Sequence, residues 1–453
     1  MKKTTTKKTA ARTPKKGVQV TSPTKKARVS NKKTPTIFVH LPAYREPELI
    51  PTIKDAIAHA KHPENLRFGI CRQFNEEDGF DNVDEFRNDK RFRIIDIPHT
   101  KAKGLPYARY LINELITEDD DYILQLDSHH RFIEGWDEIL LSMHADLEKK
   151  KFKPILTGYL PYYNPFNDPA ERAMEPWQQQ FAAFYPHGTI FIRPGGFPDW
   201  KNLEGPVPSR FISGHFAFAR ADWAREIKHD TDIYFSGEEL NLTIRSFTHG
   251  YDLFHPHKLV IWHATMREER NGKLIWDDQS KRGEDWWSQQ NTARAKIRQL
   301  LRTEDNGFDL TGVDVGTVRT IRDYEKYAGI HFKKRSIQKH TLDNKYPPNP
   351  LIEDETEWEN SFMRSFYHLV TIHRHELSAN DYDSILVAFD DENNVGIQSR
   401  SISDSRLTDF LTHGTPIHYE EMFMVDKLPH KVVFWAHSKE RGWAERVEHI
   451  LAK

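Results

Sequence analysis

The sequence predicts an α/β protein with a largely parallel sheet, followed by a smaller, mostly β region. Up to about residue 335, short apolar runs alternate with segments of helical periodicity. Beyond it, short runs that alternate apolar and polar residues are separated by turn-forming residues. The first pattern is typical of parallel sheets and the second of antiparallel ones, so we expect two folded regions.

Four strands and two helices are predicted in the first part of the chain. The helices are predicted at 47–61 and 106–116, where apolar residues recur at helical spacing. The strands are predicted at residues 36–41, 67–71, 92–97 and 122–126. Pro42 is expected to end the first strand because it has no N–H to donate. In parallel sheets ligands bind at the carboxyl ends of the strands, so Asp127, directly after the fourth strand, is expected to carry chemistry.

The region 336–453 is predicted to be a separate, β-rich domain. Its strands are predicted at residues 362–372, 384–389, 395–399, 420–425 and 431–436. The polar cluster 390–394 is typical of a turn between two of them. Short alternating strands of this kind favour a small antiparallel sandwich.

Residues 1–35 are predicted to form a disordered basic tail. They carry twelve of the 65 Lys and Arg residues and no acidic residue, which leaves 53 basic against 67 acidic residues elsewhere. The segment has too few apolar side chains to offset the entropy of ordering it. Because the remainder of the chain is acidic, we expect no nucleic-acid partner beyond a weak contact of this tail.

The sequence predicts a cytoplasmic protein with no membrane span. Cys71 is its single cysteine, so no disulfide can form within the chain. No apolar run resembles the central segment of a signal peptide or reaches the length of a membrane-spanning helix. This composition favours a reducing compartment.

A candidate metal site begins at Asp127-Ser128-His129. In an extended segment the side chains of Asp127 and His129 point to the same side and can face one ligand. A carboxylate with an imidazole suits a divalent ion such as Mn²⁺. Taken alone, the triplet fits a polar surface loop better than a metal site.

A third ligand is needed to make this pattern specific. His263 follows the apolar run 259–262 and so lies at the end of a predicted strand. His255 and His257, just upstream, are competing candidates, and a buried structural histidine is the alternative in a chain with 24 histidines. With His263 added, the pattern predicts a site for a divalent metal.

Two adjacent carboxylates, Glu238 and Glu239, form a second candidate site. They follow Ser236 and Gly237, small residues that let the backbone approach a ligand closely. Paired carboxylates can bind sugar hydroxyls or act as bases. The alternative is an acidic first turn of the predicted helix 239–247, which the helix dipole favours.

The order of these motifs resembles the retaining polypeptide sugar transferases of the GT-A fold. In the polypeptide N-acetylgalactosaminyltransferases, a Gly-Leu-x-x-Ala-Arg helix precedes an Asp-x-His metal motif, as residues 104–109 precede Asp127 here. A strand of small residues, a Trp-Gly-Gly-Glu-Asn motif and a third metal ligand follow in those enzymes. The corresponding segments of this sequence are 213–218, 235–239 and 262–263.

The sequence is more similar to a sister family, the polypeptide α-N-acetylglucosaminyltransferases, which includes cytosolic enzymes that modify hydroxyproline. The similarity covers about residues 36–335 and excludes the tail and the β region. It rests on the segments 38–39, 42–47, 69–73, 316–325 and 329–332. Phe235 and Glu239 stand where the galactosamine enzymes have Trp and Asn, so the donor preference of those enzymes does not transfer.

This resemblance implies a GT-A, Rossmann-like catalytic domain that moves GlcNAc from UDP-GlcNAc to a hydroxyl with retention. Asp127, His129 and His263 would hold Mn²⁺, and Glu238 and Glu239 would act on the sugar as catalytic residues. Contacts to the nucleotide are expected from Tyr44, Arg45, Gln73, Arg109, Ser128, Gly214 and Arg267. No dedicated base is implied, because in this family type the leaving phosphate is thought to take the proton of the acceptor.

The expected acceptor is a hydroxyl of a protein (Ser, Thr or hydroxyproline) or of a glycan. Two other functions fit the same residues. Two histidines and a carboxylate also form the iron site of non-haem oxygenases, although those enzymes typically use His-x-Asp on a β-barrel. A catalytically silent binding protein, with the region 336–453 as its working part, is the other alternative. Hydrolysis of the donor with and without Mn²⁺ distinguishes all three.

Overall fold

An eight-stranded mixed sheet forms the centre of the protein in this computed structural model, which describes residues 35–278, 283, 285–425 and 427–451. In spatial order its strands are β3 (Phe92–Pro98), β2 (Leu66–Phe74), β1 (Ile37–Tyr44), β4 (Tyr122–Leu126), β10 (Phe216–Arg220), β6 (Pro154–Thr157), β11 (Asp252–His255) and β9 (Val207–Pro208). β10 and β9 run antiparallel to their neighbours, and the other neighbouring pairs are parallel. Apart from residue 35, the predicted basic tail lies outside the described residues.

All four predicted strands are confirmed, with one correction to the first of them. β1 does not end before Pro42 but continues to Tyr44. β2 pairs with every residue of β1, whereas β4 pairs with β1 only from Ile37 to His40. At Pro42, therefore, only one side of β1 still needs hydrogen bonds, and a strand tolerates a proline at such a position.

Helices cover both faces of this sheet. The α-helices in the described part of the chain are α1 (Leu49–Ala58), α2 (Leu105–Asn113), α3 (Trp136–Lys149), α4 (Ala221–Glu226), α5 (Glu238–Thr248), α6 (Trp286–Leu300), α7 (Ile321–Ala328), α8 (Lys339–Leu342), α9 (Glu355–Asn360) and α10 (Ser405–His413). α1 and α2 confirm the two predicted helices. Val39 of β1 lies in a core with α1 and α3, and the next-door Phe38 lies in a core with α2 and α4, because successive side chains of a strand point to opposite faces.

Three small two-stranded sheets lie beside the central one. They pair β5 (His130–Phe132) with β12 (Ile261–His263), β7 (Trp177–Phe184) with β8 (Ile190–Gly196), and β13 (Ile330–His331) with β14 (Ser336–Ile337). The β7–β8 hairpin packs with α5, α6 and α7 around a third core that contains Phe181, Ile297 and Tyr324.

The C-terminal region contains two antiparallel sheets, so the predicted mostly β region is confirmed. One sheet pairs β15 (Arg364–Ile372) with β18 (Ile417–Val425), and the other contains β16 (Ser384–Asp390), β17 (Gly396–Ile402), β19 (Lys431–Ser438), β20 (Gly442–Trp443) and β21 (Val447–Ile450). Val370 and Val387, one from each sheet, share a core with Phe410 of α10. α10 was not predicted from the sequence, although Leu407, Phe410 and Leu411 recur in it at helical spacing.

By its contacts, the chain from residue 35 onward forms one unit. Met363 and Met424, at one end of the β15–β18 sheet, lie in the core that contains the β7–β8 hairpin. The domain boundary at residue 335 therefore stays a prediction. Within the described residues, no helix combines the length and the apolar character that crossing a membrane requires.

Candidate active site

Asp127, His129 and His263 meet at the edge of the central sheet where β4 ends. Their ligand atoms all lie within 4.8 Å of one another. Nε2 of His129 and Nε2 of His263 lie 3.7 Å and 3.6 Å from Oδ2 of Asp127. The competing His255 lies elsewhere, with its Nδ1 3.0 Å from the backbone oxygen of Thr157.

Strand pairing explains why residues so far apart in the chain come together. Asp127 directly follows β4, and His129 directly precedes β5. β5 pairs with β12, so that His130 lies opposite His263 and the triad closes. The hydroxyl of Thr52, on α1, donates to the backbone oxygen of Ser128 at 3.2 Å and holds the loop between β4 and β5.

Arg109 joins this triad to the second predicted site. Its guanidinium is completely buried and donates to Oδ1 of Asp127 at 2.7 Å and to Oε1 of Glu238 at 2.5 Å. Burial alone would raise the pKa of Asp127, but contact with His263 and the charge of Arg109 hold it well below its ordinary value. Asp127 is therefore ionised, and its Oδ2 is the oxygen that faces the two histidines.

Each of the two histidines has a polar group beside its Nδ1. Burial lowers the pKa of His129 well below its ordinary value, and the charges of Arg270 and His263 lower it further. Nδ1 of His129 lies 3.2 Å from a carboxylate oxygen of Glu46. Nδ1 of His263 lies 3.2 Å from the hydroxyl of Thr265, and its buried Nε2 has no hydrogen-bond partner in the described structure. A polar group behind each ring is the arrangement that orients metal-binding histidines.

Glu238 and Glu239 are the first two residues of α5. Gly237, immediately before them, has a φ of 99°, a left-handed conformation that favours glycine. The Glu238 carboxylate receives the hydrogen bond from Arg109 and lies 3.3 Å from Nδ1 of His229. Burial opposes its ionisation, but Arg109 and His229 outweigh burial and lower its pKa.

Glu239 occupies a different environment from its neighbour. It accepts hydrogen bonds from the backbone N–H of Gly214 at 2.9 Å and from the Tyr159 hydroxyl at 2.8 Å. Burial raises its pKa to about 7, against the effect of these two donors. The pair thus consists of one carboxylate that is ionised at neutral pH and one that is close to its midpoint.

Two cavities meet at the triad. The smaller, about 230 Å³, is lined among others by Tyr44, Glu46, Gln73, Ser128, Arg270 and Trp276. The larger, about 460 Å³, is lined on one side by Arg109, Tyr159, Gly214, His215, Glu238 and Glu239. Asp127 and His263 border both cavities. A metal held by the triad would therefore touch the contents of both.

The sequence matches the family model described as Glycosyltransferase (GlcNAc) over residues 36–88 and 76–334. The chain belongs to this glycosyltransferase family. A search of curated protein sequences found no match. The match covers nearly the whole of the predicted catalytic region and supports glycosyl transfer over the non-haem iron oxygenase that the same ligand set left open.

Two solved structures have some likeness to this glycosyltransferase. The crystal structure of GalNAc-T7 with UDP, GalNAc and Mn²⁺ has 12% sequence identity and a TM-score of 0.47, with 93% of this chain and 73% of that chain covered. The structure of S. aureus TarS 1–349 in complex with UDP-GlcNAc has 13% identity and a TM-score of 0.35, with 53% of this chain and 60% of that chain covered.

The structure of this glycosyltransferase brings most of the predicted nucleotide-binding residues to the two cavities. Tyr44, Gln73 and Ser128 line the smaller cavity, and Arg109 and Gly214 line the larger one. Their roles stay predictions.

Two predicted residues line neither cavity. Arg45 is buried in ion pairs with Asp78 and Asp278, both at 2.6 Å. Arg267 is more than a third exposed and lies 3.3 Å from Asp277, so the structure does not bring it to the triad.

Four residues of this site were not identified from the sequence. Arg270 stands where Arg267 was expected: it is buried, and its Nε and one terminal nitrogen have no hydrogen-bond partner in the described structure. His215 stacks flat on His263, with ring centroids 4.2 Å apart and 3° between the planes. The other two are Glu46 and His130. A signal was present for Glu46 and His215, which lie within the motif segments 42–47 and 213–218, and for His130, which follows the Asp-x-His motif; nothing in the sequence distinguishes Arg270 from other charged residues.

Proposed function

We propose that this protein is a metal-dependent, retaining glycosyltransferase that moves GlcNAc from UDP-GlcNAc to a hydroxyl. The observation that carries the proposal is the position of the Asp127–His129–His263 triad between two cavities of different character. The family match supports glycosyl transfer itself. The donor sugar, the metal, the stereochemistry and the acceptor are the proposed part.

The residues of the triad fit a divalent cation such as Mn²⁺. A carboxylate and two imidazoles are donors that suit such an ion. The buried Nε2 of His263 has no hydrogen-bond partner within the described residues. Leaving this nitrogen unpaired costs free energy, and a bound metal ion would remove that cost. When bound, the ion would neutralise the charge of the leaving diphosphate.

The smaller cavity suits a uridine diphosphate. The buried side-chain oxygen of Gln73 has no hydrogen-bond partner in the described structure, and it is an acceptor of the kind that the N–H of uracil requires. Nε and one terminal nitrogen of Arg270 have no hydrogen-bond partner in the described structure, and Nε lies 3.6 Å from a carboxylate oxygen of Glu46. The planar fork of this guanidinium matches phosphate oxygens. The Tyr44 ring lines the same space.

The larger cavity suits the sugar and the acceptor. Glu238 and Glu239, at the start of α5, offer carboxylates to sugar hydroxyls, and Arg109 fixes the first of them. Gly214 leaves room beside them, because a Cβ there would lie 3.1 Å from the Arg109 guanidinium. In the proposed step the bond from the anomeric carbon to phosphate breaks, and the acceptor oxygen bonds to that carbon on the same face. The acceptor proton passes to the leaving phosphate, so these residues position the reactants and no side chain acts as base.

The other parts of the chain have proposed roles that rest on position. The region 336–453 follows every motif assigned to metal, nucleotide or sugar, so we assign it to recognition of the acceptor or of an assembly partner. The basic tail is assigned no part in turnover, and the protein is assigned to the cytoplasm. A hydroxyproline acceptor is what the resemblance implies.

A donor panel tests the proposal. The full chain is incubated with UDP-GlcNAc, UDP-GalNAc and UDP-glucose, with Mn²⁺ or with EDTA, and UDP release is measured. We expect release from UDP-GlcNAc only with Mn²⁺, and loss of it in Asp127→Asn and His263→Ala. Asp127→Asn keeps an oxygen for Arg109, and His59→Ala, a change at the residue that follows α1, is the matched control. Release that persists in EDTA or in both variants would exclude a metal site at the triad, and no release from any donor would favour a silent binding protein.

A further inference from the structure

The free edge of β8 forms one wall of the larger cavity. β8 pairs with β7 on one side, and within the described residues no strand pairs with its other side. Thr189, Ile190, Phe191, Ile192 and Pro194 all border the cavity. Neighbouring residues of a strand point to opposite faces, so a cavity bordered by consecutive residues lies against the strand's edge.

A strand edge presents unpaired backbone N–H and C=O groups, which are the groups that an added strand uses. Pro194 has no N–H, and a proline within a strand is tolerated where that position faces away from the partner strand. The backbone of Pro194 is therefore oriented to the cavity side, together with that of Ile192 and Ile190, two and four residues earlier. Exposed aromatic side chains, Tyr185 and Phe191, flank this edge.

Positive charge gathers at one end of the edge. The turn before β8 contains His187, whose pKa is lowered to about 4 by burial and then by the charges of Arg294, Arg298 and Arg335. Arg335 donates to the backbone oxygen of Pro186 at 2.6 Å, and Arg298 to that of His187 at 3.1 Å.

These three arginines have fewer carboxylate partners than positive charges. Within the described chain, Arg298 is the one of the three that forms an ion pair, with Glu304 at 2.6 Å. At the opposite end of β8, the Glu175 carboxylate lies beside Gly196. Positive charge is therefore concentrated where β8 begins, and an occupant with acidic residues at that end is favoured.

We propose that the acceptor is an extended polypeptide segment that adds to the free edge of β8 and carries acidic residues on the side that meets Arg294, Arg298 and Arg335. The cavity places its hydroxyl side chain next to Glu238 and the metal triad. Main-chain hydrogen bonds to the edge supply affinity, and the basic end supplies the direction of the chain. This inference rests on the proposed function, whose donor it takes as given.

Short synthetic peptides with a central threonine between alternating Val and Ala test the inference. In one peptide, Asp residues lie on the amino-terminal side of the threonine, and in another they lie on its carboxyl-terminal side. Two further peptides carry Lys at the same positions and serve as counterparts. With UDP-GlcNAc and the full chain, we expect one Asp peptide to exceed its Lys counterpart about tenfold in kcat/KM, since several charge pairs add. Equal use of Asp and Lys peptides would contradict the basic end.

Charge reversal on the protein links the preference to these residues. In the double variant Arg294→Glu, Arg335→Glu, the ratio of kcat/KM between the Asp and Lys peptides should fall to about one or invert. Arg67→Glu, at the start of β2 on the far end of the sheet, is the matched control and should keep the ratio. An unchanged ratio in the double variant would contradict the assignment.

Backbone N-methylation tests strand addition. An added strand offers every second N–H to the edge, so methylation at alternate positions of the preferred peptide should raise KM about tenfold or more, and at the intervening positions much less. A uniform response would contradict strand pairing. Lactose serves as a glycan probe: transfer to lactose with no transfer to peptides, while UDP-GlcNAc is still hydrolysed, would overturn the inference but not the proposed function. If UDP-GlcNAc is neither hydrolysed nor transferred, both fail.

Discussion

Arg109 is the residue on which the two halves of the site depend, and replacing it with methionine tests this. Its guanidinium is completely buried and bonded to two carboxylates, Asp127 at 2.7 Å and Glu238 at 2.5 Å. Arg109→Met keeps much of the side-chain volume but leaves both carboxylates without their cation. The pKa of each should rise, because the charge of Arg109 would no longer oppose burial and only the neighbouring histidines would still do so.

The size of the effect follows from burial. Removing one partner of a buried ion pair costs about 3–5 kcal/mol, because the remaining charge is uncompensated. That is a large share of the roughly 5–15 kcal/mol by which proteins are stable. Arg109→Lys keeps the charge but cannot bond two carboxylates as a planar fork does, so about 1–3 kcal/mol is expected.

Urea denaturation followed by fluorescence measures these losses. Arg220→Met is the matched control: Arg220 also bonds a carboxylate, Glu148, at 2.8 Å, but the two side chains are 47% and 31% exposed, so a loss of under about 1 kcal/mol is expected. Adding Glu238→Gln to Arg109→Met should recover part of the loss, since one unpaired charge is removed. If Arg109→Met costs no more than Arg220→Met, the bridging role is wrong.

Three further predictions concern individual residues of the site. Urea denaturation should show that Gly237→Ala lowers the free energy of unfolding by about 1–3 kcal/mol more than Gly79→Ala does. Both glycines have positive φ, but only at Gly237 would the new Cβ meet a side chain, that of Ile297 at 2.8 Å. As the pH rises from 4.5 to about 7, the free energy of unfolding of Glu239→Gln should increase relative to that of the wild type by up to about 3 kcal/mol. In this range the folded wild type still holds the proton of Glu239, whereas the unfolded chain has lost it. The same dependence of unfolding free energy on pH in both proteins would contradict the raised pKa. Arg270→Met should raise the KM for UDP-GlcNAc about 10- to 100-fold, from the loss of charge-assisted hydrogen bonds to phosphate, while Arg267→Met changes it little; equal effects of the two variants would show that the buried arginine is not the phosphate ligand.

Periodicity and motif order were enough to predict the framework of this molecule. The four strands β1 to β4 and the helices α1 and α2 repeat apolar residues at strand or helix spacing, and such patterns are decided locally. The triad was predictable because two of its ligands lie two residues apart and the third ends a strand. Tertiary pairing then determined which histidine completed it.

Other features of the site depend on contacts that no local pattern records. Arg109 bonds residues 18 and 129 positions away, so its double ion pair could not be read from its own segment. Arg267 and Arg270 lie in one loop, and only the path of that loop decides which of them is buried at the cavity. The prediction that Pro42 ends β1 was wrong for a similar reason. β1 can continue past Pro42 because β4 pairs only with its first residues, and the sequence around Pro42 does not show how far β4 extends.

Titration with Mn²⁺ tests whether Asp127, His129 and His263 form a metal site. The full chain with UDP is titrated with Mn²⁺, and free ion is followed by electron paramagnetic resonance, for the wild type, Asp127→Asn, His263→Ala and the control His59→Ala. Loss of one ligand from the triad should lower the affinity for Mn²⁺ by about 100-fold or more. Mutation of a residue that only hydrogen-bonds to a metal ligand already lowers metal affinity about 10- to 100-fold. We expect one strongly bound ion in the wild type and in His59→Ala, and none in the two triad variants. One strongly bound ion in all four proteins, or in none, would contradict it.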